Sequence, residues 1–279
     1  MAYNSLSERG FTLVVALWLL IVISLICSGI LLVTRDAGRR SASNLEAMSA
    51  QLLADAAINV TIFQLSGADA SDILNLQPDY RTSKILGQEV SVEYESESGK
   101  LSLNDASISQ LSSVFIGEGL PQSKAFTLAE HIVKWRSHLA SEDRVREVAE
   151  YAAVGRRYVP RFDQFHSVGE LRLVLGMTDE LAASAELLFT VWSRTTTIDR
   201  SVASFKLLGD LAASGDSLAS SELAARGSVN TRPVARRGAI GEVFTIHTRA
   251  SFRDASAQRK AVVQLSGDKT DPVHVLEWK

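Results

Sequence analysis

The first pattern along the chain is a long stretch without charge. From Phe11 to Val33, 23 consecutive residues carry none, and sixteen of them are Phe, Leu, Ile or Val. At about −0.4 kcal/mol each near a helix centre, those sixteen favour bilayer insertion by roughly 6 kcal/mol before smaller residues are counted. As a helix the run would span ~35 Å, against a hydrocarbon core of ~30 Å. The pattern predicts a membrane-spanning helix, and a plain signal anchor fits its length. A secretory signal peptide has a shorter apolar core and a small-residue cleavage site behind it, whereas Thr34, Arg35 and Asp36 follow directly here. A lipoprotein signal needs a small residue before its cysteine, and Ile26 precedes Cys27.

Beyond the run the polarity becomes periodic. Leu45, Met48, Leu52, Ala56, Val60 and Phe63 recur at steps of three and four. They predict one face of an amphipathic helix that ends at Gly67. Residues 68–86 read as a loop with a short helical turn. Val90, Val92 and Tyr94 alternate with Ser91, Glu93 and Glu95, the period of a half-buried strand. Gly99 marks a turn, and Leu101 and Leu103 begin another alternation. From 104 to 194 helical spacing dominates, at Leu128, Ile132 and Trp135, at Val145, Val148 and Tyr151, at Leu171, Val174 and Leu175, and from Leu181 through Phe189.

A strand-to-helix unit is expected at Thr196 to Leu211. The stretch after it, with Gly209, Ser214, Gly215, Ser217, Ser220 and Ser221, reads as a mobile loop. Strand patterns return at Val243 to Ala250, Ala261 to Leu265 and Val273 to Trp278. The sum is an α+β fold. A long N-terminal helix packs on a small antiparallel sheet built from residues 90–103 and the C-terminal strands, with an all-α domain inserted. The expected limits are 11–33 for the transmembrane helix, 34–103 for the spine and first strands, 104–195 for the insertion and 196–279 for the rest of the sheet domain. Leu103-Asn104-Asp105-Ala106 and Ile198-Asp199-Arg200 each close a strand and open a helix, and their Asn and Asp side chains are expected to cap those helices.

Composition narrows little. The chain has 279 residues, 46% hydrophobic and 22% charged, which is ordinary for a globular protein. A net charge of −3 gives no overall pull toward nucleic acid or anionic lipid. The single cysteine, Cys27, lies in the apolar run, so the remainder forms no disulfide.

The residues before the run change the reading. Ser7-Glu8-Arg9-Gly10 meets Phe11-Thr12-Leu13 without a spacer. This resembles the type III signal of pilins and pseudopilins. The resemblance implies that residues 1–10 are a leader, that a prepilin peptidase cuts between Gly10 and Phe11 on the cytoplasmic side, and that Phe11 becomes a methylated N-terminus. It also makes Val15 the fifth mature position, where most pilins carry glutamate. A carboxylate in hydrocarbon is retained only where it pairs, in that family with the N-terminal ammonium of the subunit beneath. Its absence at Val15 resembles the K-type pseudopilins and suits a place at a filament tip. The flanking charges oppose this orientation slightly, with Arg35, Arg39 and Arg40 downstream against Arg9 upstream.

The resemblance to type II secretion protein K continues down the chain. Gly99-Lys100-Leu101-Ser102-Leu103-Asn104 is similar to that family's step into its insertion. Phe165-His166-Ser167-Val168-Gly169-Glu170-Leu171-Arg172 with Val174-Leu175-Gly176-Met177-Thr178, Phe189-Thr190-Val191 and Val273-His274-Val275-Leu276-Glu277-Trp278 resemble its later markers, in order. The family implies a pilin-like fold and a minor pseudopilin at the pseudopilus tip. It implies I- and J-type minor pseudopilins, the prepilin peptidase and the inner-membrane secretion platform as partners. It implies single-pass inner-membrane localisation with a periplasmic C-terminal domain. The family usually carries Trp-Arg-Asp-x-Asp, and its members have been seen with calcium. Here Trp135-Arg136-Ser137-His138-Leu139 lacks both carboxylates. Glu142, Asp143, Glu147, Glu150 and Asp163 remain nearby and read as a solvated acidic face, so no metal or other cofactor is expected.

A type IV minor pilin is the near alternative. A membrane-anchored helix-hairpin-helix DNA-binding protein is another, with the hairpin at Gly117-Glu118-Gly119. Between 99 and 132, however, Lys100 and Lys124 face Asp105, Glu118 and Glu130, whereas such hairpins need basic neighbours. No Walker A loop, G-x-S-x-G elbow or H-E-x-x-H motif is present, and the five histidines are scattered. His131 and His138 could share a helix face, but no third ligand stands at metal spacing. The expectation is a non-enzymatic protein without a nucleic-acid or small-molecule ligand.

Overall fold

The computed structural model describes residues 7–67, 81–138, 140–193, 195–229, 241–266, 268 and 271–279. Residues 1–6 of the expected leader and most of the expected loop at 68–86 lie outside them. Helix α1 (Ser7–Gly67) runs unbroken for 61 residues, about 90 Å. It contains no proline, and the expected stop at Gly67 is where it ends. Residues 11–33, the expected transmembrane helix, lie within α1. Among the described residues no helix is long and apolar enough to cross a membrane, and the described side chains of that run reach only from Leu13 to Gly29 without a break.

The second half of α1 lies across a five-stranded antiparallel sheet of order β1-β2-β5-β6-β7. Its strands are β1 (Arg81–Ile85), β2 (Gln88–Ser96), β5 (Val243–Phe252), β6 (Ala255–Leu265) and β7 (Val273–Trp278). β1 corrects the loop expected at 68–86. Its residues, Arg-Thr-Ser-Lys-Ile, show no apolar alternation, and pairing with β2 through a tight turn at Leu86 and Gly87 makes the strand. The facing side chains are Leu53, Ala54, Ala57, Ile58 and Leu65 from α1. They meet Val90, Val92, Tyr94, Phe244, Ile246, Ala250, Ala261, Val263 and Leu265 from the sheet. The alternation read in β2 and β5 selects these inward residues, as period two requires. The alanines of α1 let the helix settle close to the strands. Thr248 Oγ1 donates to the Ala54 carbonyl at 3.1 Å in that seam. Arg253–Glu46 (3.3 Å) and Arg259–Asp55 (3.2 Å) flank it.

The helical unit is inserted between two paired neighbours. β2 pairs β5 with Ser96 opposite Phe244, and the chain leaves the sheet between them. At the neck, β3 (Leu101–Ser102) lies parallel to β4 (Phe189–Thr190) in a separate two-stranded ladder. This corrects the assignment of residues 101–103 to the main sheet. A Cβ at Gly99 would fall 2.7 Å from the Val202 carbonyl oxygen, so only glycine fits there.

Helices α2 (Ile108–Gly117), α3 (Gln122–Arg136), α4 (Ser141–Ala153), α5 (Asp179–Leu188), α6 (Phe205–Ala213) and α7 (Ser217–Val229) follow. They enclose Phe115, Leu128, Ile132, Trp135, Tyr151, Phe165 and Phe189, and the Trp135 and Phe165 rings stack at 6.0 Å. Leu207, Leu208, Leu211 and Ala219 share this core, so the helical unit continues past the expected limit at 195. The strand expected near Thr196 is absent among the described residues. Val168–Leu173 is a 3₁₀ segment, not an α-helix, with a turn at Gly176 (φ +84°) behind it.

Two further expectations are corrected. The Ser/Ala-rich stretch is α7, because Asp216 accepts from the Leu218 and Ala219 amides and so starts a helix that serine and alanine then tolerate. Asn104 caps no helix, and Asp199 accepts from the Ser201 amide in the turn before α6, not from α6 itself. Ser107 closes a capping box with Gln110, and Ser204 accepts from the Leu207 amide. Asn104 instead bridges both ways to the backbone of Phe165, at 2.8 and 3.0 Å.

Candidate interaction surface

Between 41 and 67, α1 is apolar on both sides. The side toward the sheet is Ala50, Leu53, Ala54, Ala57, Ile58, Thr61 and Leu65, all buried. The face expected from periodicity lies on the other side. Met48, Leu52 and Phe63 are 60, 62 and 76% exposed, and Leu45 and Val60 are exposed with them. That face points outward. The physical reason is size: the small residues permit close approach to the sheet, and the larger set is left over. The sole charges between 41 and 67 are Glu46 and Asp55. Both are held by arginines of the β5–β6 hairpin, Arg253 in its turn and Arg259 in β6. The outward face therefore presents Leu, Met, Val and Phe among Gln51, Asn59, Gln64 and Ser66, with no charge to be desolvated. A contiguous apolar stripe of this kind marks a protein or membrane contact.

The first half of α1 extends the stripe. Phe11, Leu13 to Leu17 and Trp18 to Ile26 expose their large apolar side chains all round. Gly10 and Phe11 sit within α1, and the side-chain setting of Gly10 lies outside the described residues. Val15 is exposed among these apolar neighbours.

The acidic residues near the expected calcium segment do not converge as a calcium loop. Glu142, Asp143 and Asp163 are exposed. Leu139 lies outside the described residues, and Ser137 donates its hydroxyl to the Val133 carbonyl. Glu147 corrects the solvated-face expectation. At 1% exposure it is buried between α3 and α4, 2.7 Å from His131 Nδ1 and 2.7 Å from Lys134 Nζ. Burial alone would raise its pKa, but hydrogen bonds from His131 and Lys134 hold it below the ordinary carboxylate range. His131, Glu147 and Glu150 bring three ligand atoms within 4.8 Å of one another, the one such convergence among the described residues. One imidazole and two carboxylates do not fit calcium, which takes six to eight oxygens, and the Lys134 ammonium already balances Glu147. The cluster is an interhelix clamp. Sequence spacing missed it because its members lie 16 residues apart on two helices.

Lys100, buried at the neck, reaches Glu95 (2.5 Å) and Glu97 (2.9 Å). Burial would lower its pKa, and the two carboxylates reverse that and raise it. The α2–α3 hairpin carries Glu118, paired with Lys206 and Ser184. A carboxylate at the turn is the wrong charge for phosphate.

No family model and no curated protein matches the sequence. Among solved structures, the chain is similar to a chain of the crystal structure of the GspK–GspI–GspJ complex from the enterotoxigenic Escherichia coli type 2 secretion system. The match has a TM-score of 0.62 at 15% identity and covers 86% of this chain and 98% of that one. The two share a fold, and the shared part takes in the inserted helical unit as well as the sheet and spine.

Proposed function

We propose that this chain is a K-type minor pseudopilin of a type II secretion system, acting at the pseudopilus tip with I- and J-type minor pseudopilins. The observation that carries this is the outward face of α1, apolar, uncharged and opposite the face that the sheet already covers. A helix apolar all round needs cover on both sides. The fold shared with a chain of the GspK–GspI–GspJ complex supplies the kind of partner. The ordered markers from Arg9 to Trp278 agree with it.

In this reading the uncharged run from Phe11 to Val33 anchors the subunit in the inner membrane, once through, with the sheet and helical units in the periplasm. Prepilin peptidase releases residues 1–10 at Gly10, and Val15 in place of glutamate leaves the subunit unable to dock on one beneath it. Work is done by assembly against the inner-membrane platform, with no turnover chemistry. Co-expression of the full chain with candidate I- and J-type subunits tests the reading. The account expects a complex that survives detergent purification, and expects Leu52→Glu with Phe63→Glu to lose it while circular dichroism stays unchanged. A complex indifferent to both substitutions would contradict it. Mass analysis should also find the native chain ten residues short and the Gly10→Val chain intact.

A further inference from the structure

The joint between α2 and α6 is built on two carboxyl groups. Glu118 is the residue that caps the C-terminus of α2, where the helix dipole disfavours negative charge. Asp210 stands on α6, buried, with Oδ2 lacking a hydrogen-bond partner. The two helices touch so closely that a Cβ on Gly117 would fall 2.4 Å from the Asp210 Cβ, which brings the α2 C-terminus directly against Asp210. Two groups face the pair. Lys206 of α6 contacts Glu118 and stands 3.8 Å from Asp210, and Ser184 of α5 donates to Glu118 at 2.7 Å. Lys206 lies closer to Glu118 than to Asp210, so the two carboxyls share this one ammonium.

We propose that Glu118 and Asp210 share one proton and so form a proton-linked latch that fastens α6 to α2. In the latched state the Asp210 carboxyl donates its proton to the Glu118 carboxylate. Loss of that proton leaves a buried negative charge on Asp210 beside the half-buried one on Glu118, answered by one ammonium. The electrostatics agree. Burial first, then the hydrogen bond and charge of Glu118, push Asp210 up to about 7, against the pull of Lys206. Burial would also raise Glu118, but Lys206, Ser184 and Asp210 bind it and bring it down. The sign follows by linkage. Asp210 has a folded pKa above its unfolded one, so its contribution is complete below about 4 and is lost as pH rises through about 7. Glu118 acts oppositely, and its contribution is lost only in more acid solution. The latch is thus closed in mild acid and opens above neutrality. It couples the returning helices α6 and α7 to the insertion proper.

The test is a carbon-13 carboxyl titration of the full chain in detergent micelles, with melting temperature followed from pH 5 to 8.5. The latch predicts an Asp210 midpoint near 7 and a melting temperature that falls across neutrality. Asp210→Asn, whose amide can still donate to Glu118, should remove that fall. Glu118→Gln should return the Asp210 midpoint toward the ordinary range, which keeps the test decisive if Asp210→Asn does not fold. An Asp210 midpoint below 5 in the wild-type chain, or an unchanged pH dependence in Asp210→Asn, would overturn the proposal.

Discussion

The two sides of α1 between residues 41 and 67 carry comparable apolar patterns and meet opposite fates. Ala50, Leu53, Ala54, Ala57, Ile58 and Leu65 disappear against the sheet, while Leu45, Met48, Leu52, Val60 and Phe63 stand in the open. The difference teaches that periodicity says a face will be covered but not what covers it. Within one chain the sheet takes the side with small residues, because side chains interdigitate best where the backbone can come close. The side with long, flexible residues remains for a partner.

Substitutions should separate the faces sharply. Ile58→Ala, at a site with no exposure, should cost about 2–5 kcal/mol in chemical denaturation, as buried large-to-small changes do. Outside the spine, Glu147→Gln should cost about 1–3 kcal/mol, because the amide leaves His131 and Lys134 one acceptor oxygen between them and no negative charge. It also carries a pH signature. Glu147 is depressed in the folded state, so its contribution is present above its unfolded value of 4.5 and is lost as pH falls through the lower folded one. Stability curves of wild type and Glu147→Gln should therefore converge in acid. Failure to converge would dissolve the contrast between an apolar seam and an ionic clamp. Thr248→Val, which removes the buried donor to Ala54, should cost about 1 kcal/mol. Phe63→Ala on the outward face should change stability by less than about 0.5 kcal/mol. A larger loss would mean that this face is already covered within the chain.

Much of the architecture was legible in the sequence for the same reason that Ile58 is expensive to truncate. The alternation of Val90, Val92 and Tyr94, and of Phe244, Ile246, Thr248 and Ala250, is a local record of one buried sheet face. The helical spacing at Leu128, Ile132 and Trp135 records another. What stayed hidden depends on residues far apart. β1 has no pattern of its own and exists through its partner strand. α7 is written in serine and alanine, which permit a helix without announcing one. Helices α6 and α7 belong to the insertion because Leu207, Leu208 and Leu211 meet α2, a pairing that no spacing reveals. Glu147 looked solvated because its partners, His131 and Lys134, lie on another helix. Of the interaction surface, the stripe was visible residue by residue, and its direction was not.

The central claim, that the outward face of α1 is a subunit interface, is most directly tested by cross-linking. With Cys27 replaced by serine, single cysteines at Leu52, at Phe63 and, for comparison, at Val145 on α4 would be combined with cysteine-bearing I- and J-type candidates in intact cells. The account predicts disulfide-linked pairs from Leu52→Cys and Phe63→Cys and none from Val145→Cys. Pairs formed through Val145→Cys, with α1 silent at both positions, would contradict it.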